Sequence, residues 1–251
     1  MMRLWNRRKI GFLAACVFSV FLGNAHSDEI SLALRIVPPY VMQDSSGAVT
    51  GIEYEIIRNA LSAQGHSMKV EIYPLSRVIA SVTAGTVMAG APVQSGHNTG
   101  RYLSDVYIRY DNIALSLSYR NLGLKSISDL SLYRVVAFQR AATVLGVEFA
   151  SVMRECDAYT ELPDQTTQIR MLFLGRADVA IGDSRIFRTI IHNPETGVDA
   201  SIQLDEFRLF PETEYRVGFV SAYYRDEFNK GLAKLRANGA YDSIMEKYRI
   251  K

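Results

Sequence analysis

Apolar positions in this chain form short runs and helical stripes that alternate along most of its length. Runs of apolar and β-branched residues predict strands, and apolar residues three and four apart predict helices. In the first part this places strands at 31–37, 68–73 and 87–93, with helices at 51–64 and 77–84. The resulting order β-α-β-α-β is typical of a sheet flanked by helices.

A polar loop at residues 94–101 separates this array from a second one. The pattern there predicts strands at 113–119, 134–138, 158–162, 179–182, 202–210 and 215–220, a short helical step at 126–130, and helices at 143–155, 166–174, 184–191, 226–238 and 240–248. Two such arrays predict an α/β protein with two similar lobes.

The segment 175–183, GRADVAIGD, is the clearest unit of this pattern. A helix is expected to end at Gly175, a tight turn follows, and the apolar run at 179–181 predicts a strand covered on both faces. Asp183 follows at the carboxyl end of that strand, where α/β sheets place their ligands. Its carboxylate can accept a cationic ligand group, or it can cap the helix that begins at Ser184.

Residues 1–25 differ from the rest of the chain and predict an export signal. Basic residues precede an apolar run at 10–22, and the Gly-Asn-Ala sequence at 23–25 ends it with the pattern of a cleavage site. The run is shorter than the ~20 residues that a membrane span needs. Cleavage near residues 25–27 would leave the mature chain in the periplasm. Cys16 also matches a lipoprotein cleavage box, although apolar residues continue after it.

Removal of the signal changes the charge and the cysteine count. The chain holds 28 basic and 26 acidic residues, and the predicted signal takes 4 basic and 0 acidic ones, which leaves 24 against 26. Without a basic excess, nucleic-acid binding loses its electrostatic support. Cys156 has no cysteine partner in the mature chain, and the 4 histidines are scattered without metal-ligand spacing. We therefore expect neither a disulfide, a metal nor a cofactor.

Short motifs occur in a fixed order along residues 30–251. They are Pro38-Pro39-Tyr40, Gly51 with Glu55-Ile56, Ala84-Gly85, Arg101 ahead of Ser104-Asp105-Val106-Tyr107, Ser128-Asp129-Leu130 before Val135-Val136-Ala137, Gly175-Arg176-Ala177-Asp178 to Asp183, and Asn238-Gly239 to Glu246-Lys247-Tyr248. In this order the motifs resemble the bacterial extracellular solute-binding proteins of family 3, the amino-acid receptors of ABC importers.

The resemblance implies a type II periplasmic-binding-protein fold, in which two lobes joined by two hinge strands close over a ligand. It places lobe I at 26–113 and 215–251, and lobe II at 114–214, after the signal peptide at 1–25. A small amino acid or related carboxylate would be captured in the cleft and delivered to an ABC permease in the inner membrane. The resemblance also implies a monomer without catalytic residues.

Several ligand contacts follow from the resemblance. Arg101 would hold a ligand carboxylate through two parallel hydrogen bonds, because a guanidinium matches its geometry. The N–H of Ala142 and the hydroxyl of Thr143, at the start of a helix, would hold the same group. Asp183 would accept the α-amino group, since a zwitterion taken out of water needs a fixed cation and a fixed anion. Tyr40 would cover the ligand side chain.

Three further positions bear on the choice of ligand. Pro92 falls where the family presents backbone carbonyl groups, and it keeps that acceptor while lacking an N–H donor. Arg77 and Arg140 can receive an acidic side chain. The stretch 34–37 lacks the acidic residue that receptors for cationic amino acids tend to carry. A polar or acidic amino acid is therefore favoured.

A structural role stays open for each of these side chains. Tyr40 can pack in the core, and Thr143 can cap its helix. Arg101, Arg77 and Arg140 can be solvated surface charges.

Two other functions also stay open. A free-standing periplasmic sensor would share the site and differ in its partner. An enzyme on the same scaffold, such as a dehydratase or a transglycosylase, is a weaker alternative, because no Ser/His/Asp or Cys/His spacing supports nucleophilic catalysis. Glu161, near a strand end, is a conceivable general acid, and Cys156 is expected to be a buried small residue.

Overall fold

The computed structural model describes residues 27–95 and 102–249. The predicted export signal, Cys16 and Arg101 lie outside these ranges. Within them the chain forms two main β-sheets flanked by helices. This architecture confirms the predicted α/β class. Among the described residues, no helix combines the length and hydrophobicity needed to cross a membrane.

The first sheet is built from the beginning and the end of the chain. The strands of these two parts are β1 (Glu29–Leu34), the hairpin strands β2 (Met42–Gln43) and β3 (Val49–Thr50), β4 (Ser67–Ile72), β5 (Ala89–Val93), β6 (Tyr102–Leu103), β7 (Ile108–Tyr110) and β13 (Thr213–Phe219). The sheet has the order β4-β1-β5-β13-β6, and β7 also pairs with β13. Strand β1 runs parallel to β4 and β5, whereas β13 is antiparallel to β5. The accompanying helices are α1 (Ile52–Ser62), α2 (Leu75–Ala84), α7 (Ala222–Ala237) and α8 (Ala240–Lys247).

The second sheet is built from the middle of the chain. Its strands are β8 (Asn112–Leu117), β9 (Val135–Phe138), β10 (Tyr159–Leu162), β11 (Val179–Asp183) and β12 (Leu204–Phe207), in the order β10-β9-β11-β8-β12. Strand β9 is parallel to β10 and β11, and β8 is antiparallel to β11 and β12. The accompanying helices are α3 (Ala141–Val144), α4 (Val147–Arg154), α5 (Gln165–Phe173) and α6 (Ser184–Ile191).

The chain passes between the two sheets twice. It leaves the first sheet after Tyr110 and enters the second at Asn112, and it returns between Phe207 and Thr213. Below, lobe I and lobe II denote the parts of the chain that carry the first and the second sheet. The crossings lie close to the predicted lobe boundaries at 113–114 and 214–215, and those boundaries stay a prediction.

The segment 175–183 folds as its pattern predicts. Gly175 has φ 65°, a left-handed conformation that suits glycine, and it follows α5. All five residues of β11 are buried. At Gly182 an added Cβ would lie 2.6 Å from Cζ of Phe187, so the absence of a side chain lets that ring pack against the strand. The strand is therefore covered on both faces, with Asp183 at its carboxyl end.

The predicted helix over residues 143–155 is wrong in its extent. The structure has two short helices, α3 and α4, and Gly146 precedes α4 with φ 98°. Glycine adopts this conformation without strain, and it interrupts the helical backbone. Thr143 consequently lies inside α3, while Arg140 occupies the capping position with φ 67°. The alternative in which Thr143 caps the helix is therefore also wrong.

Candidate functional site

Asp183 joins the two lobes through its carboxylate. The residue is 2% exposed. Its Oδ1 accepts hydrogen bonds from the Tyr40 hydroxyl at 2.8 Å and from the N–H groups of Arg185 at 3.0 Å and Ile186 at 3.1 Å. Its Oδ2 accepts from the N–H of Asp111 at 2.9 Å. Asp183 therefore caps α6, contacts the crossing segment and holds Tyr40 of lobe I, which confirms the capping alternative.

The same hydrogen bonds restrict what Asp183 can do for a ligand. A carboxylate oxygen offers two lone-pair directions, so Oδ1 with three donors is fully used, whereas Oδ2 with one donor keeps a direction open. An ammonium group of a ligand would have to reach Oδ2 of this buried residue or replace the Tyr40 hydroxyl, which is the only side-chain donor in the set. The predicted ligand role of Asp183 stays a prediction that requires one of these changes.

Burial also changes the acidity of Asp183. Loss of hydration raises the pKa of this carboxyl from its usual 3.8 to about 6, although the hydrogen bonds from Ile186, Tyr40 and Asp111 act in the opposite direction. The ionised form is thus less favourable in the folded chain than in water.

We expect the free energy of unfolding to depend on pH through Asp183. The pKa of Asp183 is higher in the folded chain than in the unfolded chain, so the protonated carboxyl favours folding. This stabilisation is fully present below about pH 4 and is lost as the pH rises through about 6. A pKa difference of roughly two between the folded and unfolded states corresponds to ~3 kcal/mol in the free energy of unfolding. Urea unfolding between pH 4 and 7 should show the parent losing up to ~3 kcal/mol more than the Asp183→Asn variant. Burial also raises the pKa of Glu53. Because Glu53 is present in both proteins, its effect cancels when their pH profiles are compared. Parallel pH profiles would contradict the raised pKa.

Tyr40 is a core residue at the junction of the lobes. Its side chain is fully buried, and its ring stacks on Tyr110 with centroids 4.0 Å apart. The ring centroid of Tyr110 also lies 4.6 Å from that of Tyr215. The Tyr110 hydroxyl donates to the buried carboxylate of Glu53 at 2.6 Å. The core-packing alternative for Tyr40 is confirmed, and a ligand contact stays a prediction.

The N–H groups of Arg140, Ala142 and Thr143, at the start of α3, are already bonded within the chain. The carboxylate of Glu161 accepts from the N–H of Arg140 at 2.6 Å, from the N–H of Ala142 at 2.9 Å and from the Tyr159 hydroxyl at 2.8 Å. Thr143 is exposed. A ligand carboxylate at this position would have to replace Glu161. The anion-binding roles of Ala142 and Thr143 therefore stay predictions.

The remaining predicted site residues are dispersed. Arg77 is exposed and lies over the Tyr73 ring, with its Cζ 4.1 Å from the ring centroid. Arg140 is exposed as well. Both arginines therefore fit the alternative in which they are solvated surface charges. Pro92 is buried in β5. It lies between Gly90 and Val93, where the pairing of β5 with β13 shifts in register. An irregular ladder there accommodates a residue without an N–H.

A cavity of about 410 Å³ lies where parallel strands of both sheets end. Residues 35–38, after β1, form its lobe I wall, and residues 163–166, after β10, form part of its lobe II wall together with α6. Two of its lining residues carry buried polar atoms to which the described residues supply no hydrogen-bond partner, Nε of Arg35 and Oε1 of Gln165.

Sequence reasoning missed this cavity. Of the described residues that the resemblance assigned to the ligand, none lines it. The position of these residues along the chain could have located the cavity, because residues directly beyond the carboxyl ends of parallel strands usually form the ligand crevice. The predicted first strand extended to residue 37, whereas β1 ends at Leu34 and leaves residues 35–38 free to line the cavity.

Across residues 27–95 and 102–249, no group of His, Cys, Asp and Glu is arranged to hold a metal.

Comparison with known proteins identifies the fold. No protein-family model matches the sequence, and a comparison with curated proteins finds no match. An ancestral arginine-binding protein bound to arginine matches with a TM-score of 0.70 and 17% identity, over 88% of this chain and 97% of that chain. The GluR0 ligand-binding core from Nostoc punctiforme in complex with L-glutamate matches with a TM-score of 0.67 and 21% identity, over 87% and 98%.

A histidine kinase sensor domain with similarity to periplasmic binding proteins also matches, with a TM-score of 0.68 and 18% identity over 88% of this chain and 95% of that chain. At identities this low the matches show the fold alone. They confirm the predicted two-lobed fold of type II periplasmic binding proteins.

Proposed function

We propose that this chain, which has the fold of the family 3 solute-binding proteins, captures a small amino acid or related carboxylate between its lobes and delivers it to an ABC importer. The observation that carries this proposal is the cavity of about 410 Å³ at which strands of both sheets end. Ligands of α/β proteins occupy this position, and the volume is in the range of small-molecule sites.

The lining of the cavity suits a polar or acidic ligand. Arg35 of lobe I and Arg170 of lobe II supply guanidinium groups, which pair well with carboxylates. Arg170 already donates to the carbonyl oxygens of Thr196 and Glu195, at 2.9 and 3.2 Å. Nε of Arg35 is buried and finds no hydrogen-bond partner among the described residues, and the guanidinium acts on the buried carboxylate of Glu53, so a ligand carboxylate would bind its other N–H groups.

The acceptor side of the cavity supports a ligand that also carries N–H groups. Within residues 27–95 and 102–249 no group donates to the buried Oε1 of Gln165, and an unmade buried hydrogen bond costs about 1–3 kcal/mol. Asp164 is occupied, because it caps α5 by accepting from the N–H groups of Thr166 and Thr167. A ligand with a carboxylate for Arg35 and a donor for Gln165 satisfies both lobes at once, which favours closure around it.

Arg35→Gln is expected to remove most of the stabilisation by ligand. At about one hundred times its dissociation constant, a ligand adds ~2.7 kcal/mol, or roughly 5–10 °C in the unfolding midpoint of a chain of this size. Thermal unfolding of the mature chain should be followed against a panel of amino acids and small carboxylates. Arg154→Gln, which alters an exposed arginine of α4, is the matched control and should respond as the parent does.

Two results would count against the proposal. One is a panel in which no compound shifts the midpoint. The other is a shift that Arg35→Gln retains in full.

Binding without catalysis is the proposed mode of action, in the periplasm and as a monomer. Cys156 is buried, and its thiol lies 3.6 Å from the carbonyl oxygen of Tyr133, so it packs as a small core residue. Glu161, the conceivable general acid, is held by the turn before α3.

A free-standing sensor is the second candidate, because one of the matching structures is a kinase sensor domain. The two candidates differ in the consequence of losing the chain. Deletion of the gene should abolish uptake of the ligand found in the thermal panel if the chain serves an importer. Unchanged uptake combined with loss of ligand-dependent gene expression would favour the sensor.

A further inference from the structure

A second cavity, of about 660 Å³, lies between the lobes on another face of α6. Ser184, Arg185 and Arg188 of α6 line it, whereas Ile186, Thr189 and Ile190 of the same helix line the first cavity. The opposite wall is α8 of lobe I, and the crossing segments complete it. The cavity is therefore bounded by both lobes and by the connections between them.

Most of the charges that line this cavity are neutralised within the chain. The ion pairs are Arg109 with Glu214 at 2.8 Å and with Glu212 at 3.8 Å, Arg188 with Glu206 at 2.8 Å, Arg208 with Asp111, and Arg249 with Glu246 at 3.4 Å. Among the described residues, two lining charges form no ion pair. They are Arg185 on α6 and Asp242 on α8.

Arg185 keeps hydrogen-bonding capacity for a ligand. Its side chain is partly buried, its guanidinium donates to the Tyr40 hydroxyl, and the acidic groups that act on it are Asp183 and Asp111. The Asp183 carboxylate already accepts four hydrogen bonds, and Oδ2 of Asp111 is bonded to Arg208 and lies 3.3 Å from Oγ of Ser184. The guanidinium bonds to the Tyr40 hydroxyl and lies near these two carboxylates, and because a guanidinium carries five N–H groups, several remain for a ligand.

Asp242 is the matching anion on the other wall. It is the third residue of α8, where the N-terminal end of the helix dipole stabilises a carboxylate. Its side chain is exposed, and no hydrogen bond to it is formed by the residues that the structure describes. Tyr241 and Met245 of the same helix add apolar surface beside it.

We propose that this cavity is a second binding site, which takes a zwitterion of about dipeptide size with its carboxylate on Arg185 and its ammonium group on Asp242. A zwitterion that leaves water needs one fixed charge of each sign, and these two residues supply them from opposite lobes. Because α6 belongs to lobe II and α8 to lobe I, the bound molecule bridges the lobes and stabilises their present arrangement. This site is independent of the cavity in which the transported ligand is proposed to bind.

Calorimetric titration with L-alanyl-L-alanine tests the proposal directly. We expect saturable binding with one site per chain, and loss of roughly 10- to 100-fold in affinity with either Arg185→Gln or Asp242→Asn, which is the range for hydrogen bonds to charged groups. Arg154→Gln, which alters an exposed arginine of α4 outside this cavity, is the matched control and should change the affinity by about threefold or less.

Modified dipeptides assign each charge to its residue. N-acetyl-alanyl-alanine lacks the ammonium group and should bind equally weakly to the parent and to Asp242→Asn. Alanyl-alanine amide lacks the carboxylate and should bind equally weakly to the parent and to Arg185→Gln. Asp242 is exposed on a helix surface, so Asp242→Asn is expected to fold even if Arg185→Gln does not.

Three results would overturn the proposal. They are the absence of saturable binding, binding that both variants retain, and binding that only Arg35→Gln abolishes. The last result would instead place the dipeptide in the first cavity.

Discussion

Replacing Gly231 by alanine should lower the free energy of unfolding by about 3 kcal/mol or more. Gly231 lies in α7 where that helix meets α1. A Cβ there would overlap the carbonyl oxygen of Ala60 and lie 2.7 Å from its carbonyl carbon and 3.0 Å from its Cα. All three atoms are backbone, so the contact cannot be relieved by a side-chain rotation. The helices would have to separate, which loosens the packing of lobe I.

Urea unfolding monitored by circular dichroism measures this effect. Gly123→Ala is the matched control, since a Cβ at Gly123 meets nothing within 4 Å. It should change the free energy of unfolding by no more than about 0.5 kcal/mol. Similar midpoints for the two variants would show that α1 and α7 tolerate a wider spacing.

Replacing Asp183 by alanine should cost about 3 kcal/mol at pH 7. The change leaves the buried Tyr40 hydroxyl and the buried N–H of Ile186 without an acceptor, at roughly 1–3 kcal/mol each, and it removes the cap of α6. Part of this loss is offset, because the desolvated carboxylate that raises the pKa is also removed. Chemical unfolding of the variant and the parent at pH 7 measures the net effect.

Tyr40→Phe separates the structural role of Asp183 from its predicted role in ligand binding. This variant removes the only side-chain donor to Asp183, so it should cost about 1 kcal/mol and give a ligand ammonium group access to the carboxylate. If Asp183 receives a ligand ammonium group, Tyr40→Phe should bind the ligand at least as tightly as the parent, while Asp183→Ala should not bind it. Equal binding by all three proteins would leave Asp183 with the structural role alone.

The elements that sequence reasoning predicted well are those with local causes. Strand β11 is a continuous apolar run, and Asp183 caps α6 through the N–H groups of the next residues along the chain. Helix α1 follows from the spacing of Ile52, Ile56 and Ile57 on one face. The break at Gly146 was missed because the glycine falls within an apolar pattern that continues on both sides.

The candidate site was predicted less well, because its geometry depends on distant pairs. Glu161 reaches the N–H groups of Arg140 and Ala142, and this contact fills the position that the resemblance assigned to a ligand carboxylate. Tyr40 and Asp183 are 143 residues apart in sequence, yet they share a hydrogen bond. Arg35 and Gln165 line one cavity from different lobes.

By itself, the sequence determined the two α/β arrays, the strand that ends in Asp183 and the likeness to a two-lobed receptor, because periodicity and capping act over a few neighbouring residues. Only the tertiary structure determined which groups are already bonded and which remain available. Asp183 and Glu161 are acceptors already bonded within the chain, whereas Arg35, Gln165, Arg185 and Asp242 line the interlobe cavities with groups that keep hydrogen-bonding capacity. That distinction depends on burial and on hydrogen-bond partners far apart in sequence, and these are set when the two lobes pack together.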